Sequence, residues 1–218
     1  MFKTQQGPFS VITDIVDRKV SDEINEDLKR SFTVEEIKYV VFSMHPDKAL
    51  GPDGLNPGFF QHFWSTVGDD VSKAIMECLN NKSPVPGSNN TNIVLIPKKK
   101  QPEFVSDLRP ISLCNVVDRI TCEVLANRMK RCMNLIISEV QSTFILGRYI
   151  TDNAMISFEA IHYLKRKTQG KVGYAALKTD MSKAYDRVEW GFLKAMMIKM
   201  GFCLEWVNKV MQMVTTVT

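Results

Sequence analysis

The chain has 218 residues, 44% of them hydrophobic and 9% aromatic, so it can bury a core in one or two domains. This composition excludes a disordered tail, and no run of about eighteen uncharged apolar residues predicts a membrane span. Residues 1–7 lack the apolar centre of a secretory signal, and we therefore expect an intracellular protein, in the nucleus or the cytoplasm.

The net charge of +4 is unevenly distributed along the chain. Residues 1–90 hold 9 Lys and Arg against 13 Asp and Glu, and residues 91–218 hold 19 against 11, which gives −4 and +8. The basic part is compatible with a phosphate-rich partner, although solvated helix faces often carry such an excess. The five cysteines form no C-x-x-C pair and lie far from the three histidines, which favours reduced thiols with no disulfide partner and no zinc site.

The first half of the chain predicts helices separated by turns. Residues 1–30 are polar and predict a loosely ordered lead-in. A helix is predicted to begin at Thr33, because Thr33 and Glu36 have the spacing of a capping box. Residues 51–54, with the sequence Gly-Pro-Asp-Gly, predict a turn after it, and two amphipathic helices are expected to follow.

The remaining elements include two predicted strands. Ile93–Ile96 is a short β-branched run that opens into three lysines, Lys98–Lys100, and residues 172–177 predict a second strand. Apolar residues at helical spacing predict the other elements, which are a long helix from Val117 to Ile136 and helices over residues 153–166, 192–200 and 207–214. Gly201 is expected to end the third of these helices.

An acidic motif follows the second predicted strand and is the strongest candidate for chemistry. Asp180 lies where a strand should end, and Asp186 follows it closely. Such an aspartate can hold a divalent cation if other carboxylates join it, and the carbonyl of Met181 can face the same ion. This interpretation is a metal-dependent polymerase site. The alternative is that Asp180 caps the next segment and Asp186 is a surface acid beside Arg187.

Six blocks in order and spacing resemble one family. They are Thr33–Phe63, which contains Met44–Gly54, and then Asn92–Lys98, Leu108–Asn115, Val124–Arg128, Gln141–Arg148 and Ser182–Asp186. Together they resemble the reverse transcriptases of LINE-type (non-LTR) retroelements, most closely the plant kind, over roughly residues 20–210. The resemblance implies a helix-rich α+β fold, the fingers and partial palm of a right-hand polymerase, with the fingers in residues 31–171 and the start of the palm in residues 172–218.

The resemblance also implies roles for individual residues. Asp180 would be the first catalytic, metal-binding aspartate, with Met181 lending its carbonyl to Mg²⁺. Tyr185 would lie under the sugar of the incoming nucleotide, where its ring leaves no room for a 2′-hydroxyl. Arg109 and Lys98 would grip the triphosphate, Arg109 as a planar fork and Lys98 as a point charge.

The implied partners are an RNA template, a DNA primer and deoxynucleoside triphosphates, with no membrane. Gly51 and Gly54 would belong to a fingertip loop close to the template, because glycines permit close backbone approach. Arg148 belongs to a block for which a primer–template contact and a subdomain-packing contact are equally compatible. The alternative for Arg109 is a salt bridge with Asp107 or Glu103.

Three other functions stay open on the sequence. A non-catalytic RNA-binding remnant would use Lys98–Lys100, Arg109, Arg128 and Arg131, although the three lysines also fit a solvated strand end. A related polymerase, such as an intron-encoded maturase or an RNA-dependent RNA polymerase, is disfavoured by Tyr185. The chain is also compatible with an unstable product of a decayed element.

The chain departs from the family pattern at three residues and in two motifs. Leu50 and Leu146 stand where relatives usually have proline, and Thr179 replaces an apolar residue before Asp180. The family's later glycine-rich segment and its Phe/Tyr-Ala-Asp-Asp turn do not occur in the sequence. Since Asp180 alone cannot cage two cations, we expect an N-terminal fragment that has no polymerase activity by itself.

Overall fold

The computed structural model describes residues 9–81, 87–142, 145, 147–170, 172–177, 179, 184 and 187–216. Its helices are α1 (Ser10–Thr13), α2 (Asp22–Lys29), α3 (Val34–Ser43), α4 (Pro57–His62), α5 (Trp64–Asn81), α6 (Val116–Lys130), α7 (Met133–Ile136), α8 (Ile150–Arg166), α9 (Trp190–Lys199) and α10 (Leu204–Thr215), and its strands are β1 (Thr91–Pro97) and β2 (Leu108–Cys114). Helices dominate and one small sheet accompanies them, which confirms the predicted helix-rich α+β class.

The described residues divide into two compact units. The first combines the chain up to Ile24 with Met129–Phe202, and the second combines Asn25–Arg128 with the chain from Cys203 onward. The domain boundaries that the sequence predicted, at residues 30 and 171, stay predictions.

The second unit is built around helices whose apolar faces meet. Helix α3 begins as predicted: Thr33 Oγ1 accepts a hydrogen bond from the Glu36 N–H at 3.2 Å, and the Glu36 carboxylate accepts one from the Thr33 N–H at 3.1 Å. Helix α10 is tied to α2, because the Cys203 N–H donates to Asn25 Oδ1 at 2.8 Å. The most deeply buried side chains of this unit are Leu28, Ile37, Val40, Val41, Ile75, Leu79, Val116, Ile120, Val124, Trp206 and Val207.

The sheet is an antiparallel hairpin of β1 and β2, in which Thr91 pairs with Cys114 and Pro97 with Leu108. Strand β1 was predicted from its β-branched residues, but β2 was missed because it contains Pro110. Proline is tolerated there because both strands of a two-stranded sheet have an outward edge that needs no N–H donor. Both faces of β1 are exposed, including all the apolar residues from Ile93 to Ile96.

The first unit packs an N-terminal segment against the end of α9. Gly201 has φ +97° and its N–H donates to the Ile198 carbonyl at 3.0 Å, which confirms its predicted place after the helix. The Met200 carbonyl then accepts hydrogen bonds from the N–H groups of Lys19 and Val20, each at 2.9 Å. Val20 is therefore buried, although it lies in the segment that the sequence predicted as loosely ordered.

Two predicted elements are corrected by the structure. The long helix predicted to reach Ile136 ends at Lys130, and the separate turn α7 follows it. Residues 172–177 are not a strand; they have no regular hydrogen bonding, and Leu177 is 88% exposed. A strand needs a neighbour to bond with, and none of the described residues supplies one to this segment.

Candidate functional site

The two cations predicted to grip a triphosphate, Lys98 and Arg109, lie at the same end of the hairpin. Arg109 pairs with Ile96, and Lys98 follows two residues later, where its N–H donates to the Asp107 carbonyl at 2.8 Å. The Lys98 ammonium also donates to the Ser106 carbonyl at 2.8 Å, and both cationic side chains are exposed. The hairpin thus brings together two residues that a long turn separates in sequence.

The acid beside these cations, Asp107, forms a salt bridge with a third cation, Lys99. Lys99 Nζ lies 2.9 Å from Asp107 Oδ2. This hydrogen bond is the largest cause that lowers the pKa of Asp107, followed by hydrogen bonds from the N–H groups of Phe104 and Glu103. Arg109 makes no ion pair with any residue that the structure describes, so the alternative of a simple Arg109–Asp107 salt bridge is not supported.

The predicted fingertip loop is a tight turn that packs against the buried side chain of Asn115. The Gly51 carbonyl accepts a hydrogen bond from the Gly54 N–H at 3.1 Å, and Gly54 has φ +70°, which favours glycine. A Cβ atom at Gly51 would lie 2.6 Å from Asn115 Oδ1 and 2.7 Å from its Cα. The close approach that glycine permits at position 51 is therefore an approach to Asn115.

Asn115 is a functional candidate that the sequence analysis did not single out. Its Oδ1 accepts a hydrogen bond from the Asp53 N–H at 3.0 Å, and its Nδ2 donates to the Gly87 carbonyl at 3.2 Å. The side chain is 6% exposed, so it joins two loops through a buried amide. The sequence feature that could have identified Asn115 is its place as the polar last residue of the family block Leu108–Asn115.

The fingertip loop is anchored at the end of the hairpin opposite to the cations. Asn115 follows the last residue of β2, whereas Arg109 is the second residue of that strand. At about 3.4 Å per residue, the two positions are about 20 Å apart. A cavity of about 390 Å³ adjoins the Asn115 end, and its lining residues are Asp53, Asp70, Val71, Ala74, Gly87, Ser88, Asn115 and Val117. Because that lining contains two carboxylates and no cation, it does not suit a phosphate. Whether the loop contacts a template stays a prediction.

Arg148 binds the backbone of its own unit. Its guanidinium donates to the carbonyls of Gln141 at 2.7 Å and Ile137 at 3.4 Å, and also to that of Ser138. These contacts are local to one segment, so the subdomain-packing role that the sequence left open stays a prediction. A contact with primer or template stays a prediction.

Arg128, which the RNA-binding alternative requires, is buried inside the second unit. Its guanidinium makes two hydrogen bonds to the Glu36 carboxylate, at 2.7 and 3.0 Å, and lies 3.8 Å from the centroid of the Phe32 ring. It also donates to three backbone carbonyls at the end of α2 and just beyond, those of Leu28, Arg30 and Ser31. At 4% exposure Arg128 cannot reach a phosphate, so its predicted part in RNA binding is wrong.

The predicted metal and sugar contacts, Asp180, Met181 and Tyr185, lie outside the described residues. Within the part that is described, no group of three or more His, Cys, Asp or Glu side chains is arranged to hold a metal ion. None of the described helices is both long and apolar enough to cross a bilayer.

Comparison with known proteins identifies the family of this chain. The family described as reverse transcriptase (RNA-dependent DNA polymerase) matches residues 96–217, more than half of the chain. The chain belongs to the reverse transcriptase family. Members of this family act on a nucleic-acid template with deoxynucleoside triphosphates and use divalent metal ions.

A transposon protein places this reverse transcriptase among those of non-LTR retroelements. The Transposon TX1 uncharacterized 149 kDa protein of Xenopus laevis is 31% identical to it over 175 residues. The match covers 80% of this chain and 13% of that protein. The resemblance read from the six sequence blocks is thereby confirmed, and the closer likeness to the plant kind stays a prediction.

Proposed function

We propose that this reverse transcriptase chain supplies the nucleotide-gripping part of a site for RNA-templated DNA synthesis. The observation that carries the proposal is the pair of exposed cations at one end of the hairpin, Lys98 and Arg109. Arg109 makes no ion pair with a described acid, so its planar fork is available to two phosphate oxygens at once. Lys98 adds a second positive charge beside it.

The acidic motif would complete the site around Mg²⁺. The ion, when bound, neutralises charge on the phosphates during transfer. We propose Asp180 as its first carboxylate ligand and the Met181 carbonyl as a second oxygen donor, because hard cations prefer oxygen. Tyr185 would exclude a 2′-hydroxyl and so favour deoxynucleotides over ribonucleotides.

The template and primer would contact other parts of the chain. We propose that the exposed tip of the loop between Gly51 and Gly54 faces an RNA template, with Asn115 holding that loop in place. For Arg148 we propose a supporting role: its contacts with three backbone carbonyls fix the loop over residues 137–142, and a DNA primer would lie beside that loop.

Binding of a nucleotide to the purified 218-residue chain tests this proposal. We expect a fluorescent deoxynucleoside triphosphate to bind in the presence of Mg²⁺, and the substitution Arg109→Ala to weaken it about 10- to 100-fold, since hydrogen bonds to charged groups contribute about 1.5–3 kcal/mol each. Fluorescence anisotropy measures the affinity.

Lys99→Ala is the matched control, because Lys99 lies next to Lys98 but is already paired with Asp107. We expect it to change the affinity less than threefold or so, as is usual for exposed ion pairs. Equal losses in the two variants would mean that only overall charge matters, and undetectable binding to the unaltered chain would rule the proposal out.

A further inference from the structure

The turn that joins the two strands of the hairpin is held together by hydrogen bonds and an ion pair. The Asp107 carboxylate accepts hydrogen bonds from the N–H groups of Glu103 at 3.0 Å and Phe104 at 3.1 Å. The Asp107 N–H in turn donates to the Phe104 carbonyl at 2.9 Å, and Lys99 pairs with the carboxylate. These contacts close a short 3₁₀ turn, Val105–Asp107, at the tip.

This turn holds an aromatic ring out in water. Phe104 is 67% exposed and its neighbour Val105 is 82% exposed, although both belong to a hydrogen-bonded turn. Exposing a phenylalanine forgoes most of the stabilisation that its burial would contribute. Among the described residues no aromatic ring packs against Phe104, and most of its surface faces solvent.

The charges around Phe104 favour a nucleic-acid strand over a protein as its partner. Lys98, Lys99, Lys100 and Arg109 give this end of the hairpin four positive charges against two negative ones, and Asp107 is already neutralised by Lys99. Lysine is depleted in protein–protein interfaces, whereas a cationic surface with an exposed ring offers both phosphate attraction and a face for base stacking.

The position of the ring agrees with the proposed nucleotide grip. Phe104 lies in the turn next to Arg109, at the end of the hairpin that is about 20 Å from the Asn115-anchored loop. A template base that pairs with a nucleotide held by Arg109 is followed along the strand by a base that is still unpaired. If the proposed nucleotide grip holds, that base would present a free π-face on the side of the turn.

We propose that Phe104 is a stacking contact for an unpaired base of a single-stranded RNA, the template just ahead of the nucleotide held by Arg109. The assignment to the template rests on the proposed function of the hairpin. The stacking contact itself rests on the exposed ring and its cationic surroundings. The ring face accepts any base, so the contact adds affinity for single strands without sequence preference.

The test compares RNA affinities of the full 218-residue chain and its variants by fluorescence anisotropy. The probes are a labelled single-stranded RNA of about twelve nucleotides and a blunt duplex of the same sequence, each titrated at several KCl concentrations. We expect Phe104→Ala to weaken single-strand binding about tenfold and to leave duplex binding unchanged. Phe104→Tyr should retain the affinity, and Phe104→Leu should lose as much as the alanine variant.

Two controls separate stacking from charge and from general apolar contact. Tyr39→Ala removes an equally exposed ring, 69% exposed on α3, and should leave the affinity unchanged. Lys100→Ala should reduce the slope of log affinity against log salt by about 0.7, whereas Phe104→Ala should leave that slope unaltered.

The results that would refute the stacking contact differ from those that would refute the proposed function. If the unaltered chain binds single-stranded RNA and Phe104→Ala binds it equally well, the stacking contact is refuted and the proposed nucleotide grip is unaffected. Full affinity in Phe104→Leu would also refute stacking, because an aliphatic side chain has no π-face. If the unaltered chain binds neither RNA nor deoxynucleoside triphosphate, the stacking contact and the proposed function both fail.

Discussion

A single buried side chain, Arg128, joins three segments of the second unit. Its guanidinium satisfies backbone carbonyls at the end of α2, pairs with the Glu36 carboxylate of the α3 capping box and stacks on Phe32. Carbonyls at a helix end need donors, and a cation there also complements the helix dipole. Arg128 therefore supports folding, whereas the exposed Arg109 keeps a guanidinium that is accessible from solvent, and burial makes the difference.

We expect Arg128→Ala to lower the free energy of unfolding by about 3–5 kcal/mol, because the Glu36 carboxylate and several carbonyls would lose their shared donor. Urea denaturation followed by circular dichroism measures the change. Lys73→Ala, at an exposed position of α5 in the same unit, is the control and should stay within about 0.5 kcal/mol of the unaltered chain. Equal stability of the Arg128 variant would show that the network contributes nothing.

Burial also determines the protonation state of the Cys122 thiol. Desolvation, with the nearby Asp118 carboxylate as the next cause, raises the pKa of Cys122 to about 12. Its thiol therefore stays protonated at neutral pH and is a poor nucleophile. None of the five cysteines, all of which the structure describes, forms a disulfide.

At the scale of elements, the β1–β2 hairpin and the loop at residues 51–54 carry most of the site that the structure describes. The hairpin aligns Lys98 with Arg109 and exposes both faces of β1, while Asn115 at its other end holds the loop. Each contact joins residues distant in sequence. The site is consequently sensitive to packing at a few backbone positions.

We expect Gly51→Ala to destabilise the second unit by about 1–3 kcal/mol, because the added Cβ would lie 2.6–2.7 Å from atoms of Asn115, including its backbone. Thermal unfolding measures the loss. Gly173→Ala is the matched control: nothing lies within 4 Å of a Cβ at that position, so its effect should be small. A Gly51 variant as stable as the control would show that the loop can move away from Asn115.

At the scale of the whole molecule, the described part of the proposed site lies in the second unit, which contains Lys98, Arg109 and the loop at residues 51–54. A polymerase needs carboxylates for two divalent ions, and the sequence contains no Phe/Tyr-Ala-Asp-Asp turn to join Asp180. Binding of a nucleotide by these 218 residues therefore does not imply that they transfer it.

We expect the purified 218-residue chain to incorporate no deoxynucleotide on an RNA template with a DNA primer and Mg²⁺, even where it binds the nucleotide. Primer extension on a denaturing gel measures this, with an active reverse transcriptase as the positive control. Extension by the unaltered chain that disappears in Asp180→Asn would contradict this prediction and would mean that Asp180 finds its partner carboxylates elsewhere in the chain.

Local patterns in the sequence predicted most helices, because a helix depends on residues three and four apart and on its caps. The Thr33–Glu36 capping box and Gly201 after α9 were identified in this way and are confirmed. Strand β2 was not predicted, since strand pairing depends on distant partners, and the end of α6 at Lys130 was also missed. The family assignment was also available from the sequence, because six blocks in order are specific together.

The sequence alone therefore determined most of the helices, the family and the candidate cations, through short-range periodicity and motif order. Only the tertiary structure decided which cations are accessible: Arg109 is exposed, Arg128 is buried against Glu36, and Asn115 holds the glycine loop. The physical reason is that accessibility and partnership depend on contacts between residues far apart in the chain. Two arginines that the sequence offered alike as candidate phosphate ligands differ in accessibility once the chain is folded.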